Sequence, residues 1–282
     1  MKRLMTAPGA VKLLAQSGRA LFILLATVLA PTAAFAEDAA APGDVFEFGD
    51  FALRVPANVP AIRGIFLALG GPDTRAFLTD GQFGAPKPEL EASLHVLGQE
   101  LRALAADQGL AMLGTTLQGM AELPNQPQTD ELIFAAIGEA ARISGRSELA
   151  GAPIFVYGIS GGTPQAIGFT ARNPARVGAL LLKVPAPPER LTSAEALAVP
   201  TGLILAEWET IADNTEVVAV FEFNRRAGGL WSLATEPGVP HHSLTPGQRS
   251  LTVNWLRAVV ESRLSPSEQD PRRDVPESAG WL

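Results

Sequence analysis

A serine stands between two glycines at the point where an apolar strand pattern gives way to a helical one, in Gly158-Ile159-Ser160-Gly161-Gly162. The residues before it, 153–157, are apolar and rich in β-branched and aromatic types, which is typical of a central parallel strand covered on both faces. After the turn the apolar spacing becomes helical and ends before Pro174, because the residue preceding a proline is disfavoured in a helix. A second apolar run follows over 177–184. This order predicts a strand, a tight turn carrying Ser160, a helix and a second strand.

The G-x-S-x-G spacing between a strand and a helix is the pattern of a nucleophile elbow, in which a strained backbone lifts the serine hydroxyl above the sheet. Glycine is expected on both sides because a side chain there would collide with the neighbouring strand and helix. On this motif the chain resembles the α/β-hydrolase family, from about Arg63 to about Leu264 and most closely over 153–184. The resemblance implies the α/β-hydrolase fold, with a mostly parallel central sheet, helices on both faces and no requirement for a cofactor.

Strand and helix patterns alternate along the rest of the chain, as a parallel sheet covered by helices requires. Two short alternating patches between Val45 and Val55 predict antiparallel edge strands. Only Pro185 to Val199 separates two strands at the point where larger lids of the resembled family sit, so any cap is expected to be small and the site open. Further strands are predicted over 63–69, 110–117, 201–206 and 229–234, and helices over 86–108, 129–147, 217–226 and 246–264.

The first 36 residues are a different kind of sequence. Basic residues precede an apolar run from Leu21 to Ala30, which is followed by Pro31 and then by Ala34-Phe35-Ala36. Ten apolar residues are too few to span a bilayer, and the small residues suit cleavage after Ala36. We therefore predict a Sec-type signal peptide over 1–36, an α/β-hydrolase domain over 37–264 and a poorly ordered tail over 265–282. A periplasmic or secreted protein with no membrane span after cleavage is expected, and a retained N-terminal anchor is the alternative.

Charge and composition argue against several classes of protein. The chain has 22 Lys and Arg against 29 Asp and Glu, and the signal peptide takes away four basic and no acidic residues. Nucleic acid is therefore not an expected partner, because its binding depends on basic patches. The chain has no cysteine, which excludes disulfides, thiol nucleophiles and Cys-ligated metals. A three-histidine zinc site would need every histidine of the chain, including His95 in a predicted helix, so no metal or other cofactor is predicted.

A serine hydroxyl needs a neighbouring base to become a nucleophile, and the base needs an acid to hold its tautomer. The resemblance implies that these partners follow the serine in the order acid, then histidine. His241 and His242 are the two histidines after Ser160, and both are predicted to lie in a loop over 236–242 before the last helix. The family's usual Gly-His ending favours His242 as the base, with His241 as the alternate.

The acid of the resembled family follows the strand that ends here near Ala206. Glu209 fits that position best, and Asp213 and Glu207 are the alternates. A glutamate can orient a histidine as an aspartate does. The competing interpretation is that these are ordinary charges on a solvated loop, which would hold for at least two of the three.

An oxyanion hole in this family takes one backbone N–H from the residue after the nucleophile and one from the loop after an earlier strand. Gly161 matches the first position. Gly70 or Gly71 matches the second, since glycine lets the backbone approach a substrate carbonyl closely and Pro72 has no N–H to donate. The alternative is that Gly70 and Gly71 form a plain tight turn.

Together these matches predict a serine hydrolase, namely a carboxylic ester hydrolase with a Ser-His-Glu/Asp triad acting on a small-molecule or polymer ester. Two alternatives stay open. One is acyl transfer or peptide hydrolysis on the same triad, and the other is a catalytically inactive binding protein that retains the fold, because one fold supports many functions.

Overall fold

The computed structural model describes residues 43–70, 73–117, 125–188 and 190–264. The predicted signal peptide over 1–36, the first residues of the predicted domain, the predicted tail over 265–282 and the candidate oxyanion residue Gly71 lie outside these described residues. Within them, every helix is too short or too polar to cross a membrane.

The described residues contain eight strands, which pair into one sheet. They are β1 (Gly43–Phe48), β2 (Phe51–Pro56), β3 (Gly64–Gly70), β4 (Leu110–Thr115), β5 (Ile154–Ile159), β6 (Val177–Lys183), β7 (Thr201–Trp208) and β8 (Trp231–Pro240). Their order across the sheet is β1-β2-β4-β3-β5-β6-β7-β8. The pairs β1–β2 and β2–β4 are antiparallel and the remaining pairs are parallel. The predicted edge hairpin and mostly parallel sheet are therefore present.

Helices cover both faces of the sheet because the parallel strands are apolar on both sides. They are α1 (Pro88–Gln108), α2 (Pro127–Ser144), α3 (Thr163–Arg172), α4 (Ala194–Leu197), α5 (Asn214–Arg226) and α6 (Pro246–Arg263). Alternate residues of β5 enter different cores, so that Val156 packs with the core beneath α2 and α3, and Tyr157 with the core beneath α1 and α6. This arrangement places the carboxyl ends of the parallel strands at one edge of the sheet, where sites on such folds are built.

Helix ends follow local chemistry. Proline occupies the first turn of α1, α2, α3 and α6, where its missing N–H leaves no helical hydrogen bond unmade. Gly109 and Gly145 end α1 and α2 in the left-handed conformation, with φ of 68° and 69°. The predicted helices over 86–108, 129–147, 217–226 and 246–264 differ from the observed ones by at most three residues at either end.

One element differs more from its prediction. The sequence predicts a strand over 229–234 and then a loop over 236–242, but β8 continues to Pro240. Its pairing with β7 shifts register, from Ala206 opposite Glu236 to Trp208 opposite Pro240. Gly238 takes a φ of +72° within this bulged stretch, which explains how a strand passes through prolines and a glycine that were interpreted as a loop.

Candidate active site

Ser160 lies in a tight turn at the carboxyl end of β5, near the middle of the sheet. Its φ is +49°, a left-handed conformation that is uncommon for a residue other than glycine. A single turn of 3-10 helix over Ser160–Gly162 leads directly into α3. The hydroxyl of Thr163 donates to the Ser160 carbonyl at 2.7 Å and accepts from the Ala186 N–H at 3.2 Å, which ties the turn to the chain after β6. The strained turn that the sequence motif predicts is therefore present.

The two glycines of the motif are required by close contacts. A Cβ atom on Gly158 would lie 2.7 Å from the Ala166 Cβ in α3 and 2.9 Å from a Leu182 methyl in β6. One on Gly162 would lie 2.3 Å from the Leu69 carbonyl oxygen and 2.4 Å from the Gly70 nitrogen. The second contact is with backbone, which cannot move aside as a side chain can. Gly162 therefore lets the turn that carries Ser160 lie directly against the end of β3.

Gly162→Ala should therefore displace the turn. We expect it to lower the free energy of unfolding by about 1–3 kcal/mol, as overpacking does. We also expect it to reduce turnover by about 100-fold, because a shift of about 1 Å in a reacting group has that order of effect. Chemical denaturation and ester turnover measure the two effects.

Gly138→Ala is the matched control. Gly138 is an exposed helical residue, and a Cβ there would meet no atom within 4 Å. Alanine at that position should raise stability by about 0.5–1 kcal/mol, because glycine is the poorer helix former. Equal behaviour of the two variants would show that the contact of Gly162 with β3 is unimportant.

The structure brings Ser160, His241 and Glu209 together. The Ser160 Oγ lies 2.8 Å from the His241 Nε2, and the His241 Nδ1 lies 2.6 Å from the Glu209 Oε2. Both distances fit hydrogen bonds. The arrangement suits the tautomer in which Nδ1–H donates to Glu209 and Nε2 accepts from the serine hydroxyl. The His241 side chain is 5% exposed and the Glu209 side chain 2%, so this pair is shielded from water.

The preference for His242 is corrected by this geometry. His241 is the imidazole within hydrogen-bonding distance of Ser160, while His242 is exposed and its ring packs edge-on against that of His241 at 4.8 Å. The preference for His242 rested on a glycine expected before the base. Here β8 ends at Pro240, so His241 is the first residue after the strand and Pro240 stands where the glycine was expected. A bulge in β8 sets that register, and no local sequence signal revealed it.

Glu209 is held by three donors. Its Oε1 accepts from the Ile211 N–H at 2.7 Å and from the Ala212 N–H at 3.2 Å, while its Oε2 faces His241. Burial alone would raise the pKa of Glu209, but the hydrogen bonds from Ile211, His241 and Ala212 together bring that pKa below its usual value. The side chain therefore stays a carboxylate at neutral pH and can orient the imidazole.

The two alternate acids have other contacts. Asp213 caps α5, with its Oδ1 accepting from the Thr215 N–H at 2.7 Å. Glu207 accepts from the N–H of Gly238 at 2.6 Å and so braces the bulged end of β8 against β7. Each of these carboxylates therefore accepts from a backbone N–H away from His241.

A small apolar cluster lies next to the candidate site, at the ends of three strands. Val184, Ala206 and Val239 are buried together at the ends of β6, β7 and β8. Val184 has a φ of +44°, which is strained for a β-branched residue, and its N–H donates to the Ile204 carbonyl at 2.8 Å. Ala206 precedes Glu209 by three residues and Val239 precedes His241 by two. This packing fixes the segments that carry Glu209 and His241.

The candidate oxyanion residues Gly161 and Gly70 lie beside Ser160. Gly161 follows Ser160 in the turn, and Gly70 ends β3 opposite Ile159 in the sheet register. Gly71 is outside the described residues. The contact of Gly162 with Leu69 and Gly70 brings the end of β3 and the nucleophile turn side by side.

Other candidate groups lie away from the triad. His95, on α1, contacts Glu91 at 3.3 Å and the ring of Phe83, which is a structural setting. No group of three or more His, Asp or Glu side chains in the described ranges is arranged to hold a metal ion.

Comparison with known proteins adds evidence on the fold. No family model and no curated protein sequence matches the chain. Brefeldin A esterase, described as a bacterial homologue of human hormone sensitive lipase, matches with a TM-score of 0.52 at 15% identity, over 81% of this chain and 80% of its own. One of two fungal esterases from Rhizomucor miehei matches with a TM-score of 0.51 at 16% identity, over 78% and 82%. An S-formylglutathione hydrolase from Agrobacterium tumefaciens matches with a TM-score of 0.50 at 14% identity, over 79% and 97%.

At these identities the likeness concerns fold alone. The shared shape agrees with the strand order of the sheet and with the serine turn between β5 and α3. The predicted fold class is confirmed: the chain has the α/β-hydrolase fold.

Proposed function

We propose that this chain is a serine hydrolase that cleaves carboxylic esters, with Ser160 as nucleophile, His241 as base and Glu209 as the orienting acid. The observation that carries the proposal is the unbroken pair of hydrogen bonds from the Ser160 Oγ through His241 to Glu209, at 2.8 and 2.6 Å. An isolated serine hydroxyl is a poor nucleophile, and such a chain of contacts is the arrangement that activates one.

The geometry supports the following first half-reaction. The His241 Nε2 takes the proton as the Ser160 Oγ attacks the ester carbonyl, and Glu209 stabilises the imidazolium that forms. The negative charge on the carbonyl oxygen is stabilised by the backbone N–H of Gly161 and by that of Gly70 or Gly71. Collapse of the tetrahedral intermediate breaks the bond to the alcohol, which leaves with the proton from His241.

The second half-reaction repeats these roles with water. A water molecule attacks the carbonyl of the acyl-enzyme, and His241 takes a proton from that water. His241 then returns the proton to the Ser160 Oγ as the carboxylic acid product is released. Each step uses side chains of the described site and backbone N–H groups. Among the described residues between β6 and β7, the small helix Ala194–Leu197 is the one regular element, so a small cap and an open entrance are part of the proposal.

The location of the protein is part of the proposal. The sequence pattern over 1–36, which predicts a Sec-type signal peptide cleaved after Ala36, supports export to the periplasm or the medium. Ester substrates, small or polymeric, would be met there.

The substrate class is tested with paired chromogenic substrates. We expect the purified protein to hydrolyse p-nitrophenyl acetate and butyrate, and to cleave the matching p-nitroanilides much more slowly, because an amine is a poorer leaving group than a phenol. Initial rates at saturating and subsaturating concentrations give kcat and kcat/KM for each pair. Faster anilide cleavage would favour a peptidase, and a folded protein inactive on every ester would contradict the proposal.

A further inference from the structure

A lysine is buried beside the candidate active site. Lys183 is the last residue of β6 and is 2% exposed. In the sheet it lies between Ile159, which precedes the nucleophile, and Ile204 of the strand that leads to Glu209. The side chain is therefore almost wholly removed from water. A charge in such a place is costly unless other charges compensate it, so its presence calls for an explanation.

The charges around Lys183 belong to the catalytic segments. Glu209 on the segment after β7 and Glu236 on β8 are the carboxylates that act on it electrostatically, and Lys183 in turn acts on His242. Tyr157, whose side chain shares this face of the sheet, stays neutral because burial raises its pKa. The two carboxylates that oppose the effect of burial on the pKa of Lys183 therefore belong one to the acid segment and one to the histidine segment.

Glu236 fixes both ends of the segment that carries the histidine. Its carboxylate accepts from the Thr245 hydroxyl at 2.6 and 2.7 Å, and Thr245 is the N-cap of α6. Residues 237–244, including His241, are therefore closed into a loop by this contact. A cation near Glu236 and Glu209 attracts both segments toward the end of β6, where the strained Val184 already packs against Ala206 and Val239.

We propose that Lys183 is a positioning residue for the triad, whose buried ammonium group acts through Glu209 and Glu236 to hold the acid and histidine segments in register with Ser160. This role rests on the proposed function of the site and goes beyond it, since no step of the proposed reaction uses Lys183.

The test compares Lys183→Met, which keeps the length of the side chain and removes the charge, with Lys183→Arg, which keeps the charge. Lys87→Met is the matched control, because Lys87 is the other lysine of the described residues and is exposed near His242. We expect Lys183→Met to lower kcat by about 10- to 100-fold with little change in KM, as small misplacements of reacting groups do. Lys183→Arg should recover most of the loss, and Lys87→Met should behave as wild type.

The pH profile separates this role from a purely structural one. The ammonium group can act on the two carboxylates only while it is protonated, so the alkaline limb of kcat/KM should depend on the residue at position 183. Burial, opposed in part by Glu209 and Glu236, lowers the pKa of Lys183 to about 8. Wild-type activity should therefore fall as Lys183 loses its proton above that pH, and Lys183→Arg should stay active to higher pH.

The positioning role can also be tested by a measurement that does not depend on ester hydrolysis. Proton NMR should show the His241 Nδ1–H far downfield, since it donates to a carboxylate, and we expect Lys183→Met to shift or broaden this signal while Lys183→Arg keeps it. If wild type hydrolyses no ester but the signal responds in this way, the function is wrong and the positioning role stands. An unchanged signal and pH profile in folded Lys183→Met would overturn the role. So would a rise in KM alone, which indicates direct binding of substrate.

Discussion

His241→Ala is expected to lose about 10⁴- to 10⁶-fold in kcat, the order seen when a triad base is removed, whereas His242→Ala should stay within a few-fold of wild type. The reason is the contact of the His241 Nε2 with the Ser160 Oγ at 2.8 Å, which the exposed His242 does not share. Without an imidazole there, the serine proton has no acceptor as attack begins. Steady-state hydrolysis of p-nitrophenyl acetate measures both variants.

The adjacent histidines make this a controlled comparison. The two variants delete the same side chain at neighbouring positions, and their rings pack against each other, so a general loosening of the loop would affect both. Circular dichroism and thermal unfolding should show both folded. If His242→Ala lost the activity and His241→Ala kept it, the assignment of the base from the geometry would be wrong.

Glu209→Gln is expected to lower kcat by about 10⁴-fold while leaving the fold intact. The amide nearly matches the carboxylate in shape, but it has no charge to stabilise the imidazolium. Its NH₂ group can also donate to the His241 Nδ1, which moves the imidazole proton to Nε2 and leaves the Ser160 hydroxyl without an acceptor. The change in tautomer makes the effect large.

Two neighbouring acids provide the controls for Glu209. Glu207→Gln keeps an oxygen for the Gly238 N–H, and Asp213→Asn keeps a good helix cap for α5. Both variants should retain kcat within a few-fold of wild type, measured with the same ester. A large loss in either one, with Glu209→Gln active, would move the acid to that residue.

The nucleophile turn was accessible from sequence because its chemistry is local. Gly158, Ser160 and Gly162 are adjacent in the chain, and the strand before and the helix after are short-range patterns. The close contacts of both glycines are the reason why the motif has its spacing. Glu209 also follows a strand closely, so that counting residues from the strand end located it in spite of its difference from the usual aspartate.

The base could not be assigned by such counting. Its position depends on the bulged pairing of β8 with β7, where Ala206 faces Glu236 and Trp208 faces Pro240. The prolines and the glycine in 236–240 are typical of a loop, so the continuation of the strand was not predicted. Pairing between distant strands depends on tertiary contacts and cannot be predicted from local composition. The strain at Val184 was hidden for the same reason, because it arises from packing at the ends of three strands.

The sequence around Lys183 also distinguishes this residue. It is a lone charge at the end of an otherwise apolar strand, in Val177–Lys183, and the strand pattern itself predicts burial on both faces. A charged residue in such a run is rare enough to mark a functional or paired site. Its relation to Glu209 and Glu236 required the arrangement of β6, β7 and β8 in space.

The central claim is that Ser160 is an activated nucleophile, and covalent labelling tests it most directly. A fluorophosphonate reacts with an activated serine hydroxyl, so the purified protein should gain one adduct by intact mass, and peptide mapping should place the adduct on Ser160. Ser160→Ala should gain none under the same conditions, and His241→Ala should react far more slowly. A folded wild-type protein that takes up no adduct, or takes it up at another residue, would contradict the account.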